Sequence, residues 1–154
     1  MNSSLSIQSS TDPIQAALSW IEDARAAGEP QPDAIALATA NRRGLPSCRM
    51  VLYKDLGPQG LTFYTNYGSP KSIVLSENPQ AEAVFFWPKL ARQVRVSGRV
   101  TRVSRAESEA YFATRPRGSQ IGAWASAQSE VLASRTDLET RVTEIERRYH
   151  GREI

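Results

Sequence analysis

RMVLYKDLGPQGLTFYTNYGSPK, residues 49–71, carries two β-type runs, 49–54 and 61–66, on either side of a turn rich in Gly and Pro. Strand alternation puts Arg49, Val51 and Tyr53 on one face and Cys48, Met50 and Leu52 on the other. The second set reads as a plain core face, while the first begins with a guanidinium. A Ser-Pro-Lys step then opens a helix, with Ser69 as its cap and Pro70 and Lys71 in its first turn. Free backbone N–H groups, a hydroxyl and an ammonium gather there, a setting that suits an anion. Arg49 and Lys71 together point to a phosphate.

Outward from this stretch, the chain reads as a meander with helices around it. Residues 1–11 are polar and Ser-rich and are expected to form a flexible tail. Asp12 caps a helix with Pro13 at its first position, a stripe of Ile14, Ala17, Leu18 and Ile21, and Gly28 as its stop. AIALATA, 34–40, is a small-residue strand that turns at 41–44 into the strand holding Arg49. The Ser69 helix is expected to end at Asn78, before Pro79. Residues 81–87 are apolar on both faces and predict a buried strand.

Residues 92–103 alternate, with Val94, Val96 and Val100 facing one way and Gln93, Arg95, Ser97 and Arg99 the other. Ser104 and Glu107 make a capping box for a helix to Thr114. RPRGSQIGAWASAQS, 115–129, reads as a long connector of the kind that binds a ligand or packs on a partner. Leu138, Val142, Ile145 and Tyr149 stripe a last helix over 134–149. The pattern predicts a mainly β domain with peripheral helices (α+β), a small barrel. The hairpins are too tight for a doubly wound sheet.

A chain of 154 residues is most economically one domain, 12–154, after the tail. Its single cysteine, Cys48, reads as a buried thiol in a reducing compartment, and its one histidine, His150, as a polar residue at a helix end. Neither Ser-His catalysis nor a His-rich metal site is available, so no metal is expected. No signal-like leader and no membrane-spanning run is seen, which predicts a cytoplasmic protein. The net charge of +3 admits an anionic small ligand or nucleic acid. A nucleic-acid stripe of Arg92, Arg95, Arg99 and Arg102 is disfavoured, because only Arg95 and Arg99 share a face. Arg115, Arg117 and Ser119 offer a second anion site, and two such sites suit a phosphorylated substrate meeting a phosphorylated cofactor.

RMVLYK, FYTNYGSPK, RQVRVSGRV and above all YFATRPRGSQIGAWASAQS, in this order, resemble the pyridoxine/pyridoxamine 5'-phosphate oxidase family. The resemblance implies an FMN-binding split β-barrel and a homodimer with FMN at the subunit interface. It further implies oxidation of pyridoxine or pyridoxamine 5'-phosphate to pyridoxal 5'-phosphate, with O2 as electron acceptor. Matched by motif, the flavin site falls on Arg49, Met50, Val51, Leu52, Tyr53 and Lys54, with Arg49 on the phosphate and the strand backbone against the ring. Tyr64, Thr65 and Lys71 would complete the phosphate region. Gln93 would reach the ring, and Gln128 and Ser129 would come from the other subunit. Lys54, Tyr111, Arg115 and Ser119 would hold the substrate phosphate.

The chain also departs from the pattern. Pro70 stands where the family has arginine, which removes one phosphate contact. The family's basic N-terminal cover has no match in 1–11. Its C-terminal part, with a Trp and an Arg at the flavin and an Arg-x-His pair over the substrate, has no match before Ile154. The catalytic residues therefore stay unassigned. These departures leave two further readings open, a non-catalytic FMN-binding protein of the same fold and a sibling oxidase acting on a phenazine precursor.

Overall fold

The computed structural model describes residues 12–154. The tail expected at 1–11 lies outside the described residues. In chain order the elements are α1 (Pro13–Ala26), β1 (Ala34–Ala40), β2 (Pro46–Gly57), β3 (Gly60–Phe63), α2 (Pro70–Glu77), β4 (Gln80–Trp87), a single 3-10 turn (Pro88–Leu90), β5 (Arg92–Arg99), α3 (Arg105–Thr114), α4 (Arg117–Ala125) and α5 (Arg135–Arg148). The five strands form one sheet in the order β3-β2-β1-β4-β5. The expected meander is therefore present in β1 to β3, and β4 joins the other side of β1. Among the described residues no helix is long and apolar enough to cross a membrane.

The chain divides into two compact units, one comprising the chain up to Ala38 with Pro46–Phe63 and Ala81–Gly98, the other Thr39–Leu45, Tyr64–Gln80 and Arg99–Ile154. In the first, α1 starts as its sequence dictates: the Asp12 carboxylate accepts the Ile14 N–H at 2.9 Å and Pro13 takes the first position. Gly28, at φ +69°, supplies the left-handed residue that ends it. The stripe Ala17, Ile21 and Ala24 is buried against Ile35 and Leu37 of β1, Tyr53 and Leu56 of β2, and Ala83, Phe85 and Trp87 of β4. Each large side chain in this core contributes about 1.5–3 kcal/mol by leaving water. The Trp87 indole N–H donates to the Pro32 carbonyl at 3.0 Å, so its one polar atom is served. β2 and β3 pair antiparallel from Tyr53↔Phe63 to Gly57↔Gly60, with a register shift between Tyr53 and Asp55.

Several expectations are corrected here. The inner face of β2 carries Val51 and Tyr53, not Cys48, Met50 and Leu52. Met50 is 63% and Leu52 51% exposed, and Cys48 is an exposed thiol rather than a buried one. Alternation fixes which residues share a face but not which face a helix covers, and α1 covers the Tyr53 face. β4 is not buried on both sides, since Phe86 is 62% exposed while Phe85 and Trp87 are buried. The run expected over 61–66 leaves the sheet after Phe63, and that expected over 92–103 ends at Arg99. In keeping with the disfavoured basic stripe, two of its arginines are paired, Arg92 with Asp23 at 2.5 Å and Arg95 with Glu82 at 2.6 Å.

In the second unit the turn at Asn41 closes through its own side chain, whose oxygen accepts the Arg43 and Leu45 N–H groups at 3.0 and 3.1 Å. α2 stops at Asn78 as expected, and the Asn78 amide donates to the Ala40 carbonyl at 2.9 Å. Ser104 and Ser134 cap α3 and α5 by accepting the N–H of Glu107 and Asp137, both at 3.1 Å. The segment read as a connector, 115–129, instead contains α4, which runs from Arg117 to Ala125. Pro116 breaks α3 but also serves as the cap of the next helix, a dual use that a proline hides in sequence.

Candidate functional site

In the first unit, the residues matched to the flavin line one strand. Arg49 is half-buried and donates to the Leu37 carbonyl at 2.9 Å and the Ser47 hydroxyl at 2.6 Å. Two neutral oxygens thus accept from the guanidinium that the sequence had paired with an anion. Val51 and Tyr53 point into the core, Tyr53 edge-on to Phe85 with ring centroids 5.5 Å apart. Burial pushes the Tyr53 phenol above its ordinary range, and the Arg25 charge opposes the rise. Met50, Leu52 and Lys54 are exposed. On β5, Gln93 is exposed and alternates with half-buried Val94. Met50, Leu52 and Lys54 on β2 and the Gln93 amide on β5 are therefore open to a ligand, along with the strand backbone.

In the second unit, the chain leaves β3 and folds into a tight polar group. Asn66 accepts the Gly68 N–H at 2.7 Å, which bends the loop into the start of α2. Ser69 occupies the cap position, but its hydroxyl makes no cap bond. Instead it accepts from the Lys71 ammonium at 3.0 Å and lies 3.2 Å from the Ser72 hydroxyl. Lys71 is buried, with 8% of its surface exposed. Its ammonium also donates to Thr65 Oγ1 and to Gln128 Oε1, both at 2.9 Å. The Thr65 hydroxyl donates in turn to Gln128 at 3.2 Å. Gln128, expected from another subunit, reaches this group within its own chain. Ser129 follows it at φ +67°, a left-handed conformation uncommon for serine.

Three of the residues expected at the second anion site, Tyr111, Arg115 and Ser119, belong to the same unit. Tyr111 of α3 stacks on Tyr64, with ring centroids 3.7 Å apart and planes 4° from parallel. Arg115 caps the end of α3 and is half-buried, its guanidinium 5.8 Å from the Phe112 ring centre. Ser119 lies exposed in the first turn of α4. Lys54 belongs to the first unit, on β2.

Arg117 does not join the anion group that the sequence suggested. It donates to the carbonyls of Tyr149 at 2.6 Å and Arg152 at 2.9 Å, finishing α5. Gln120, which the sequence reading passed over, is buried and donates to the Phe112 and Ala113 carbonyls at 2.8 and 3.3 Å, finishing α3. Helix ends leave carbonyls without intrahelical partners, and a Gln three residues after an Arg, opening a short helix between two others, is the signal that could have found both. Glu107, also unassigned, sets its carboxylate 3.5 Å from the Tyr64 hydroxyl.

Comparison with known proteins bears on what this arrangement is. Residues 21–149 match the family model described as pyridoxamine 5'-phosphate oxidase. The pyridoxine/pyridoxamine 5'-phosphate oxidase of Rubrobacter xylanophilus is 52% identical over 143 residues, covering 93% of this chain and 66% of that one. The protein of the same name from Trichormus variabilis is 49% identical over 148 residues, covering 96% and 69%. This chain therefore spans about two thirds of the length of such relatives. Among solved structures, PhzG from Burkholderia lata 383 in complex with tetrahydrophenazine-1-carboxylic acid superposes with a TM-score of 0.85 at 27% identity, covering 90% of this chain and 68% of that one. A pyridoxamine 5'-phosphate oxidase-related, FMN binding protein from Nostoc punctiforme shares the fold, with a TM-score of 0.66 at 18% identity over 83% of this chain and 71% of that one.

Proposed function

Because the chain belongs to the pyridoxamine 5'-phosphate oxidase family, we propose that it binds FMN and serves the oxidation of pyridoxine or pyridoxamine 5'-phosphate to pyridoxal 5'-phosphate, with O2 as final acceptor. The observation that carries this reading is the Lys71 group. A buried ammonium 2.9 to 3.0 Å from two hydroxyls, those of Thr65 and Ser69, offers the charge and donors that a phosphate monoester takes. The residues present fit the cofactor's phosphate. In the second unit Tyr64, Thr65 and Lys71 would hold it, with Gln128 on Lys71 and Ser129 next to it in the chain; Arg49 is assigned to it by the family resemblance alone. The backbone of 49–54 and Gln93 would border the ring.

FMN, when bound, supplies the hydride acceptor. The chain's own part is to fix two phosphates so that the substrate carbon meets that acceptor in one orientation. In the second unit Tyr111, Arg115 and Ser119 would take the substrate phosphate; Lys54, in the first, is assigned to it by the family resemblance alone.

The outer sheet face supports a homodimer. Met50 and Leu52 on β2 and Phe86 on β4 are exposed large apolar groups on the side opposite the core, and a second copy of the chain is the partner that the family pattern implies. The exposed thiol of Cys48 suits the reducing cytoplasm, where this reading sets the protein.

The test is to add FMN to the purified chain, remove excess, and record the flavin absorbance, then mix anaerobically with pyridoxamine 5'-phosphate. Retained flavin that bleaches with substrate and recovers with O2 is the expected result. A chain that keeps no flavin overturns the reading. The likeness to PhzG favours one rival, a phenazine precursor as substrate, and bleaching by tetrahydrophenazine-1-carboxylic acid but not by pyridoxamine 5'-phosphate would select it.

A further inference from the structure

We infer that Tyr64 and Glu107 are positioning residues that join the flavin-phosphate group to the substrate-phosphate group, so that each ligand tightens the other. This rests on the function proposed above. The linkage is visible as one unbroken series of contacts. Lys71 donates to Thr65 and to Gln128. Thr65 is bonded through one peptide to Tyr64, so a ligand that draws on the Thr65 hydroxyl also moves the Tyr64 backbone.

The Tyr64 ring lies flat on Tyr111 at 3.7 Å. Glu107 and Tyr111 stand four residues apart on α3 and so share one face of that helix. The Tyr64 hydroxyl, 3.5 Å from the Glu107 carboxylate, is thereby held at its far end as well. Tyr64 is gripped by its neighbour Thr65, by the ring of Tyr111 and by Glu107. The first grip belongs to the cofactor side, the other two to the helix that carries the substrate side.

A Glu three residues after a serine cap ordinarily turns back to the cap's own N–H. Here Ser104 accepts the Glu107 N–H, while the Glu107 carboxylate is directed forward to Tyr64. A helix end that only needed capping would not require that choice. The consequence is thermodynamic: two sites sharing a held element have a coupling free energy, and it is reciprocal. A parallel aromatic pair is strong enough for a factor of roughly two to ten.

The measurement is the dissociation constant of FMN, read by quenching of flavin fluorescence, without and with saturating 4-deoxypyridoxine 5'-phosphate. That analogue lacks the oxidisable hydroxyl, so no turnover intrudes. In the unsubstituted chain the analogue should tighten FMN about two- to ten-fold. Tyr64→Leu and Glu107→Leu should each lower the ratio at least two-fold, while Glu107→Gln, which keeps an acceptor for the hydroxyl, should preserve it. A residue that merely supports the fold would weaken both ligands and leave the ratio alone.

If Tyr64→Leu fails to fold by circular dichroism, Tyr64→Phe, which keeps the ring and loses the hydroxyl, takes its place and should lower the ratio part of the way. FMN binding with a ratio of one in the unsubstituted chain overturns the inference and leaves the proposed function standing. So does a ratio unchanged in both Tyr64 and Glu107→Leu variants. No FMN binding at all overturns both.

Discussion

Gln128 sets its side-chain oxygen 2.9 Å from the Lys71 ammonium across 57 residues of sequence. The contact ties the segment after α4 to the first turn of α2, and Lys71 is the centre of the group. Lys71→Met, similar in length and without charge, should weaken FMN roughly ten-fold to more than a hundred-fold, since a charged hydrogen bond contributes about 1.5–3 kcal/mol. Fluorescence titration with FMN measures it. An unchanged affinity in a folded variant would remove Lys71 from the cofactor site.

Pro70 sits exposed beside Lys71 at the first position of α2. Proline has no N–H to offer and no charge, whereas the family pattern carries arginine here. Pro70→Arg should tighten FMN by about ten-fold through one added charged contact. A dissociation constant equal to that of the unsubstituted chain would mean that an arginine at this position does not reach the phosphate.

Met50 and Leu52 test the dimer. Met50→Asp with Leu52→Asp places two carboxylates on the exposed sheet face and leaves the α1 side of β2 untouched. Sedimentation velocity should show a dimer for the unsubstituted chain and a monomer for this variant, with the same circular dichroism. A dimer that survives both charges lies on another surface.

How the sequence reached these elements, and where it stopped, follows from the physics of each. The α1 cap at Asp12, the stop at Gly28 and the end of α2 at Asn78 are local: a side chain or a forced φ decides them, and neighbours in sequence suffice. The faces of β2 are not local. Cys48, Met50 and Leu52 are more uniformly apolar than Arg49, Val51 and Tyr53, yet α1 lies on the latter, and the apolar set is left for another surface. The site shows the same division. Lys71 was singled out from its place in the first turn of a helix and Thr65 from the family resemblance, while the contacts of Glu107, Arg117 and Gln120 depend on which helix ends and rings the fold brings within reach.

Tyr53 gives a pH dependence. Burial raises its phenol, and Arg25 only partly offsets the rise. A phenol with a folded value above the unfolded one keeps its proton in the native state after the unfolded chain has lost it. Its contribution to stability is thus complete below about pH 10 and is lost as pH climbs through the folded value. The urea midpoint should fall from about pH 9 to pH 11, and less steeply in Tyr53→Phe. Equal slopes for the two chains would assign the fall to other groups.

Gln120 is buried with its amide on two carbonyls of α3. Gln120→Leu fills the same space but strips those carbonyls of their donor, at a cost of about 1–3 kcal/mol. Chemical denaturation should show that loss, with FMN affinity changed far less than in Lys71→Met. A midpoint within error of the unsubstituted chain would show that water replaces the amide without penalty.

One nine-residue helix, α4, therefore terminates two others, through Arg117 on one side and Gln120 on the other. Its first turn also carries the Ser119 hydroxyl proposed for substrate. A change anywhere along it is felt in three places, so an inactive variant here need not have lost a ligand contact. Lysine in place of Arg117 would keep the charge but, with a single ammonium instead of a fork, could not span the Tyr149 and Arg152 carbonyls in the same way. The most recognisable motif in the chain is thus also its joinery, and that double duty narrows which substitutions the helix can tolerate.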